Sequence, residues 1–288
     1  MQSGIAFFAG AILLGASGVG AHAAPASDPP PKRVVSVNPC TDAILLDVAD
    51  PGQIVALSRY SRQPSQSAVW RDARRFPATG GSGEEIVALR PDLVFGAGLD
   101  AAELAHVLPR LHIRQETFTV PETVADSEAQ VARVAALVGH PERGAALNAR
   151  IEAALAAAAP PPGTPRLRAL IYEGQGMASG PGTLIDELMR RAGFENFAAR
   201  YGLTHTMTVP LEKVIADPPQ VLLSGRLSPG EPSWADRVLS HPALRRIAPH
   251  MLTESFPEPL LFCAGPVMIP ALAALKQARI DAERGVSR

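Results

Sequence analysis

The sequence predicts an α/β protein made of two similar α/β lobes bridged by a long backbone helix, with a cleft between the lobes. Three observations carry that expectation. Short β-branched runs alternate with helical phrases along most of the chain, the pattern of parallel sheets with crossover helices. One phrase occurs twice without a gap: Glu84-x-Ile86-Val87-Ala88-x-x-Pro91-Asp92-Leu93-Val94-Phe95 is matched by Glu212-x-Val214-Ile215-Ala216-x-x-Pro219-Gln220-Val221-Leu222-Leu223. Between the copies, residues 123–159 are rich in helix formers and are interrupted only by Gly139-His140-Pro141.

The first 31 residues stand outside that plan. Residues 5–19 are an unbroken run of apolar and small residues, shorter than the roughly 20 residues of a membrane span. Ala21-His22-Ala23 follows as a small-x-small cleavage pattern. Residues 1–23 therefore read as the signal peptide of an exported, periplasmic protein, and the lack of a cysteine near the cleavage point argues against a lipid anchor. Residues 24–31, with Pro25, Pro29, Pro30 and Pro31, read as an extended tether.

The first lobe, residues 32–121, opens with the run Val34-Val35-Ser36-Val37, closed by a turn at Asn38-Pro39. Thr41-Asp42 is the expected cap of a helix over residues 43–49, which Asp50-Pro51-Gly52 stops. A strand over residues 54–57 runs into a polar loop at 58–62. A short helix at 84–89 is broken by Arg90-Pro91, and residues 92–95 form a buried strand leading into Gly96-Ala97-Gly98. A helix at 104–108 and a strand over 114–120 complete the lobe. Residues 122–163 form the linking helix, on which Val124, Val131, Val134, Ala135 and Val138 recur at helical spacing and which Pro160-Pro161-Pro162-Gly163 ends. A helical link restricts the hinge, so the cleft is expected to open and close only slightly. The second lobe, residues 164–288, starts from Leu170-Ile171-Tyr172, the counterpart of the first strand.

Composition removes several function classes. Lys plus Arg number 27 against 28 Asp plus Glu, a balance without the basic footprint of a nucleic-acid binder. With 47% apolar and 19% charged residues, the chain can bury a core. Two cysteines cannot build a disulfide scaffold or a four-thiolate metal site. The seven histidines contain no His-x-x-x-His pair and no His-rich acidic loop, which disfavours a carrier of bare zinc or manganese. Gly96-Ala97-Gly98-Leu99-Asp100-Ala101 fits a dinucleotide fingerprint, but no acidic residue ends a following strand at the proper distance, so the glycines read as a tight loop. Gly80-Gly81-Ser82-Gly83-Glu84 misses the nucleophile elbow because its fifth residue is Glu.

Five phrases, one of them the first copy of the repeat, carry a resemblance that the second copy continues. They are Arg33-Val34-Val35-Ser36, Ile54-Val55-Ala56-Leu57-Ser58-Arg59-Tyr60-Ser61, Glu85-Ile86-Val87-Ala88-Leu89-Arg90-Pro91-Asp92-Leu93-Val94, residues 172–179, and Ala192-Gly193-Phe194-Glu195-Asn196. In order and over nearly the whole mature chain, they resemble the helical-backbone class of periplasmic substrate-binding proteins, which serve ABC importers of cobalamin, ferric siderophores and haem. The resemblance implies a monomeric, non-enzymatic receptor without a resident cofactor. It would hold a small-molecule metal chelate between its lobes and deliver it to an ABC permease in the inner membrane. The family's two docking glutamates, which pair with permease arginines, fall on Glu84 and Glu212; the plainer reading is that each favours the N-terminus of its short helix. The rival class is a periplasmic enzyme or metallochaperone acting on a metal chelate. That class needs clustered acid–base or nucleophilic residues, and the sequence offers none at recognisable spacing. A third class is an adhesion or assembly module without a small-molecule ligand, which a closed interlobe gap without a cavity would favour.

Open α/β sheets bind ligands outside the carboxyl ends of their strands. In the first lobe that nominates Asn38, Cys40 and Thr41; Arg59, Tyr60 and Arg62; Thr79 and Gly80; and Gly96 to Leu99. In the second it nominates Tyr172, Glu173 and Gln175; His205 and Met207; and Arg226 and Trp234. Arg59, Arg62 and Arg226 have forked donors for the carboxylates or catecholates of an anionic chelate. His205 and Met207 alternate in Thr204-His205-Thr206-Met207-Thr208, so that one face could present both to a haem iron, as Tyr60 and Tyr172 could also do. Tyr60 matches an aromatic position of cobalamin binders, whereas Ala78-Thr79 and Ala97 stand where those binders place large aromatics, which weakens the cobalamin reading. Cys40 and Cys263 lie in different halves. An oxidising compartment favours a disulfide that would staple the lobes near the cleft, with two free thiols as the alternative.

Overall fold

The computed structural model describes residues 29–224, 242 and 251–285. Residues 1–23, read as a signal peptide from the sequence, and Arg226 and Trp234 lie outside the described residues. The first sheet consists of β1 (Val34–Ser36), β2 (Ile54–Ser58), β3 (Ala78–Thr79), β4 (Leu93–Ala97) and β5 (Arg114–Phe118). All its pairings are parallel, and the spatial order is β3-β2-β1-β4-β5. The second sheet holds β6 (Leu167–Tyr172), β8 (Phe194–Asn196), β10 (Val221–Ser224) and β11 (Leu252–Ser255), also parallel, in the order β11-β10-β6-β8. A separate antiparallel ribbon pairs β7 (Met177–Ser179) with β9 (Thr206–Thr208).

The helices are α1 (Pro39–Val48), α2 (Trp70–Ala73), α3 (Gly83–Leu89), α4 (Gly98–Leu104), α5 (Val124–Leu137), α6 (Pro141–Ala158), α7 (Leu184–Arg191), α8 (Leu211–Ala216) and α9 (Met268–Glu283). Helix α1 starts four residues earlier than Thr41-Asp42 capping would allow. The Asn38 side chain accepts from the Cys40 and Thr41 amides at 2.8 and 3.0 Å, and Pro39 occupies a first-turn position that needs no donor. Ser82 caps α3, and Arg90 ends it in the left-handed conformation ahead of Pro91.

The repeated phrase is repeated in space. It supplies α3 and β4 in one lobe and α8 and β10 in the other. Strand pleating alternates side chains between two faces, and both lobes use the faces alike. Leu93 and Phe95, like Val221 and Leu223, join one large core, while Val94 and Leu222 turn outward to smaller clusters. Ile86 and its counterpart Val214 lie under those outer clusters. The large core is continuous across the molecule: it contains Val34, Phe95, Val131, Ile151, Ile171, Leu223, Met268 and Leu275, so α5, α6 and α9 fuse the lobes by burial.

The linking run departs from a single strut. Gly139, at φ +87°, turns the chain, and Pro141 begins a new helix, so α5 folds back antiparallel on α6. The Asn148 side-chain amide donates to the Glu128 carbonyl at 3.0 Å, and a Cβ added at Gly144 would lie 2.5 Å from that of Ala135. The long helix of the link is thus α6, with 18 residues. The end of the predicted tether also belongs to the fold. Pro30 sits against Gly139, and the Gln53 amide donates to Pro31 O at 2.7 Å and Val138 O at 3.0 Å.

Candidate functional site

The order of the first sheet reverses direction at β1 and β4, and at such a switch point the carboxyl ends of the strands splay apart to leave a crevice. A cleft of about 370 Å³ opens there. Asn38, Cys40 and Thr41 line it from the start of α1, Ala97 from the end of β4, and residues 118–122 from the end of β5. The opposite wall comes from Ser179 of the ribbon, His205 and Thr206, the first turn of α7, and a strap at residues 260–264.

On the first wall the polar groups are largely committed to backbone. Asn38 spends its carbonyl oxygen on the α1 cap. The Thr41 hydroxyl lies 2.9 Å from that of Ser36 and donates to Asn38 O at 3.0 Å. Behind them Asp42 is wholly buried, and its Oδ2 accepts from the Ser58 amide at 2.8 Å and the Ser61 hydroxyl at 2.6 Å. Burial pushes this carboxyl up to about 7, against hydrogen bonds that favour the charged form.

The second wall is built from hydroxyls and an imidazole. Ser179 donates to Glu173 at 2.8 Å and lies 3.2 Å from the Thr206 hydroxyl. Burial raises the Glu173 pKa, the Ser179 hydrogen bond opposes the rise, and the charge of Glu258 adds to it. His205 has φ +58°; its amide donates to Pro181 O and its carbonyl accepts from the Gly180 amide, both at 2.8 Å. Its ring rests over Gly182, where an added Cβ would come within 3.3 Å of Nε2. Across the mouth, Nε2 lies 4.0 Å from a Glu122 carboxylate oxygen.

Of the residues nominated from sequence, Asn38, Cys40, Thr41, Ala97 and His205 meet in this cleft. Cys40 is joined to Cys263 by a disulfide with Cα atoms 5.0 Å apart, and both cysteines line the cleft. Glu173 stands one residue contact behind the lining, through Ser179. Tyr172 departs from its nomination: it points into the outer cluster of the second lobe and donates its hydroxyl to Val209 O at 3.0 Å. Met207 is exposed and lies outside the lining, because the left-handed backbone at His205 precedes β9 and breaks the alternation that would put both on one face. Gln175 occupies an exposed turn at φ +62°, and Gly96 is buried within β4.

Arg59, Tyr60, Arg62, Thr79 and Gly80 gather at the ends of β2 and β3, outside the cleft lining. There the Arg59 guanidinium donates to the Tyr60 hydroxyl at 3.1 Å. The Thr79 hydroxyl and the Gly80 amide donate to the Glu85 carboxylate at 2.7 and 2.6 Å, and the Thr79 bond is the main cause of its lowered pKa. Glu84 and Glu212 are both exposed in the first turns of α3 and α8. Sequence reasoning missed residues 118–122, the start of α7 and the strap. The one local signal was the turn Phe262-Cys263-Ala264-Gly265-Pro266, whose cysteine marks where the strap is anchored.

Comparison with known proteins agrees with this geometry. The periplasmic haem-binding protein RhuT of Roseiflexus sp. RS-1, in its apo form, superposes with a TM-score of 0.69 at 24% identity, covering 87% of this chain and 98% of that one. The vitamin B12-binding protein BtuF of Vibrio cholerae superposes with a TM-score of 0.65 at 18% identity, covering 88% and 99%. In sequence, a cobalamin-binding protein of Halobacterium salinarum is 27% identical over 208 residues, 69% of this chain; the chain spans 55% of that relative's length. Residues 34–249 match the family described as periplasmic binding protein, which takes in the first sheet and β6 to β10: the chain belongs to the periplasmic binding protein family.

Proposed function

We propose that this protein is the solute-binding component of an ABC importer, exported to the periplasm with residues 1–23 cleaved off. It captures a metal chelate (a ferric siderophore, cobalamin or haem) and delivers it to the membrane permease. The observation that carries this reading is the cleft at the switch point, walled by both lobes. Relatives described as binding haem, vitamin B12 and cobalamin support the chelate class. The described lining is mainly aliphatic and aromatic, with Glu122 and His205 as its ionisable groups, which suits a chelate with a broad apolar face. Glu84 and Glu212, exposed at equivalent points of the two lobes, are the docking carboxylates; separated charges of this kind fix orientation more than affinity. The protein acts as a receptor and not as an enzyme.

The test is titration of purified residues 24–288 with haemin, cyanocobalamin and a ferric tris-catecholate, read by absorbance and tryptophan quenching. Saturable one-to-one binding of one of them is expected. Failure of all three to bind would overturn the reading.

A further inference from the structure

The lobes are connected a second time, near the end of the chain. After β11 the Phe256 amide donates to Ser224 O at 3.0 Å, so residue 256 still belongs to the second sheet. Glu258 accepts from the Gly174 amide just past β6, which holds the following turn on the same lobe. Nine residues beyond Phe256 the chain is inside the other body. Gly265 donates to the Ser127 hydroxyl of α5 at 2.9 Å, and a Cβ added at Gly265 would lie 3.0 Å from Ile44 of α1.

Between those two anchorages the strap crosses the cleft, and Leu260, Leu261, Phe262, Cys263 and Ala264 line it. Its own packing is partial: Phe262 is 40% exposed, while Leu260 and Leu261 are half-buried against the large core and Ala264 is buried in it. The fixed point in the middle is covalent. Cys263 is bonded to Cys40 in the first turn of α1, next to Asn38 and Thr41 on the facing wall, and Cys40 Sγ lies 3.2 Å from Phe262 O.

We infer that the Cys40–Cys263 disulfide is a specificity-determining element of the cleft, fixing the strap at residues 257–264 so that the mouth is held at one width. With the bond in place, the cleft is preformed and its ligand binds without paying to order the strap. The strap also cannot swing aside for a bulkier chelate. Without the bond, only the half-buried Leu260 and Leu261 and the buried Ala264 hold the strap between its anchorages, so it samples other positions and affinity and discrimination both fall. This inference rests on the proposed chelate-binding function, but part of its test does not.

The ligand-independent arm is amide hydrogen exchange on the unliganded protein. It compares the native chain, the Cys40→Ser/Cys263→Ser variant and the Cys40→Val/Cys263→Ala variant; native protein reduced with a phosphine serves if neither variant melts cooperatively. Exchange over residues 257–264 should rise about tenfold on loss of the bond through local opening, at labelling times too short for residues 41–48 and 268–283 to exchange in either protein. Unchanged exchange in the strap would overturn the inference whatever the ligand. The second arm measures the affinity ratio between the tightest and weakest of haemin, cyanocobalamin and the ferric tris-catecholate. Loss of the bond should weaken the tightest about tenfold and narrow the ratio by a similar factor. A loosened strap with an unchanged ratio would reject the specificity role. If none of the three binds native protein, the proposed function falls, and the specificity claim falls with it; the exchange result still decides whether the bond holds the strap.

Discussion

The two lobes share a plan and differ at its ends. In both, the first strand pairs with the strand of the repeated phrase, and the residue entering that phrase's strand clamps its neighbour. Asp92 accepts from the Lys32 and Arg33 amides at 2.8 and 3.0 Å, and the Gln220 side chain accepts from the Arg168 amide at 2.9 Å. In both, a buried carboxylate follows the first strand: Asp42 under Ser58 and Ser61, Glu173 under Ser179. Past that point they diverge. The first lobe runs straight into α1, capped by Asn38, whereas the second makes a tight turn and builds the β7–β9 ribbon. The lesson is that burial constrains the faces and not the rims. A duplicated scaffold can therefore present a helix end on one wall and hydroxyls with an imidazole on the other.

The largest perturbation should come from removing the bond that joins the unlike rims. By chain entropy, a cross-link between residues 223 apart stabilises by about 5 kcal/mol. Cys40→Ser/Cys263→Ser should lower the denaturant midpoint and steepen the slope, because the unfolded chain without the cross-link exposes more surface.

Next are the two matching inner-face positions. Phe95→Ala should cost about 4 kcal/mol and Leu223→Ala about 3 kcal/mol. Because both side chains lie in one continuous core, each variant should still melt in a single calorimetric transition. Two separated transitions would mean that the lobes are independent bodies.

The buried carboxylates should set a pH dependence. The folded-state pKa of Asp42 is raised, so the folded protein keeps a proton that the unfolded chain gives up from about pH 4. Stability is therefore full below that point and declines as pH rises toward about 7. Asp42→Asn should remove on the order of 3 kcal/mol of that decline, and Glu173→Gln should act in the same direction; urea titrations at pH 4.5 and 7.5 give the comparison. A wild-type curve that climbs over this range would contradict the assignment.

The smallest effects sharpen the likeness most. Asp92→Ala and Gln220→Ala should each cost about 1 kcal/mol, since each removes side-chain hydrogen bonds to exposed backbone. Asp92, with a charge and two acceptances, should be the costlier.

Much of the architecture was legible because it is written in short-range pattern. Strand alternation, the helix-Pro-strand phrase and the break at Gly139-His140-Pro141 all act within a few residues. The Gly-His-Pro break was visible, but whether the chain kinks or doubles back there depends on what α5 packs against, and residue spacing does not carry that. The rims were harder. Tyr172 sits at the end of its strand as expected, yet pleating turns it outward. His205 was reachable as a lone imidazole in an alternating stretch, while its left-handed backbone, which separates it from Met207, was not. Of the strap only Cys263 was legible, as a disulfide partner near the cleft, since residues 260–264 reach the cleft only because the chain returns across it.

Gly139 carries a last consequence. A methyl group there would fall 2.6 Å from Pro30, on a backbone that side chains rarely tolerate. Pro30 and Pro31 are thus a wedge driven under the elbow of the α5–α6 hairpin, and the Gln53 amide pins both sides of the joint. A stretch whose composition suggests a loose leash ends as masonry. A tag or fusion placed a few residues too close would pry at the joint that ties the two halves together.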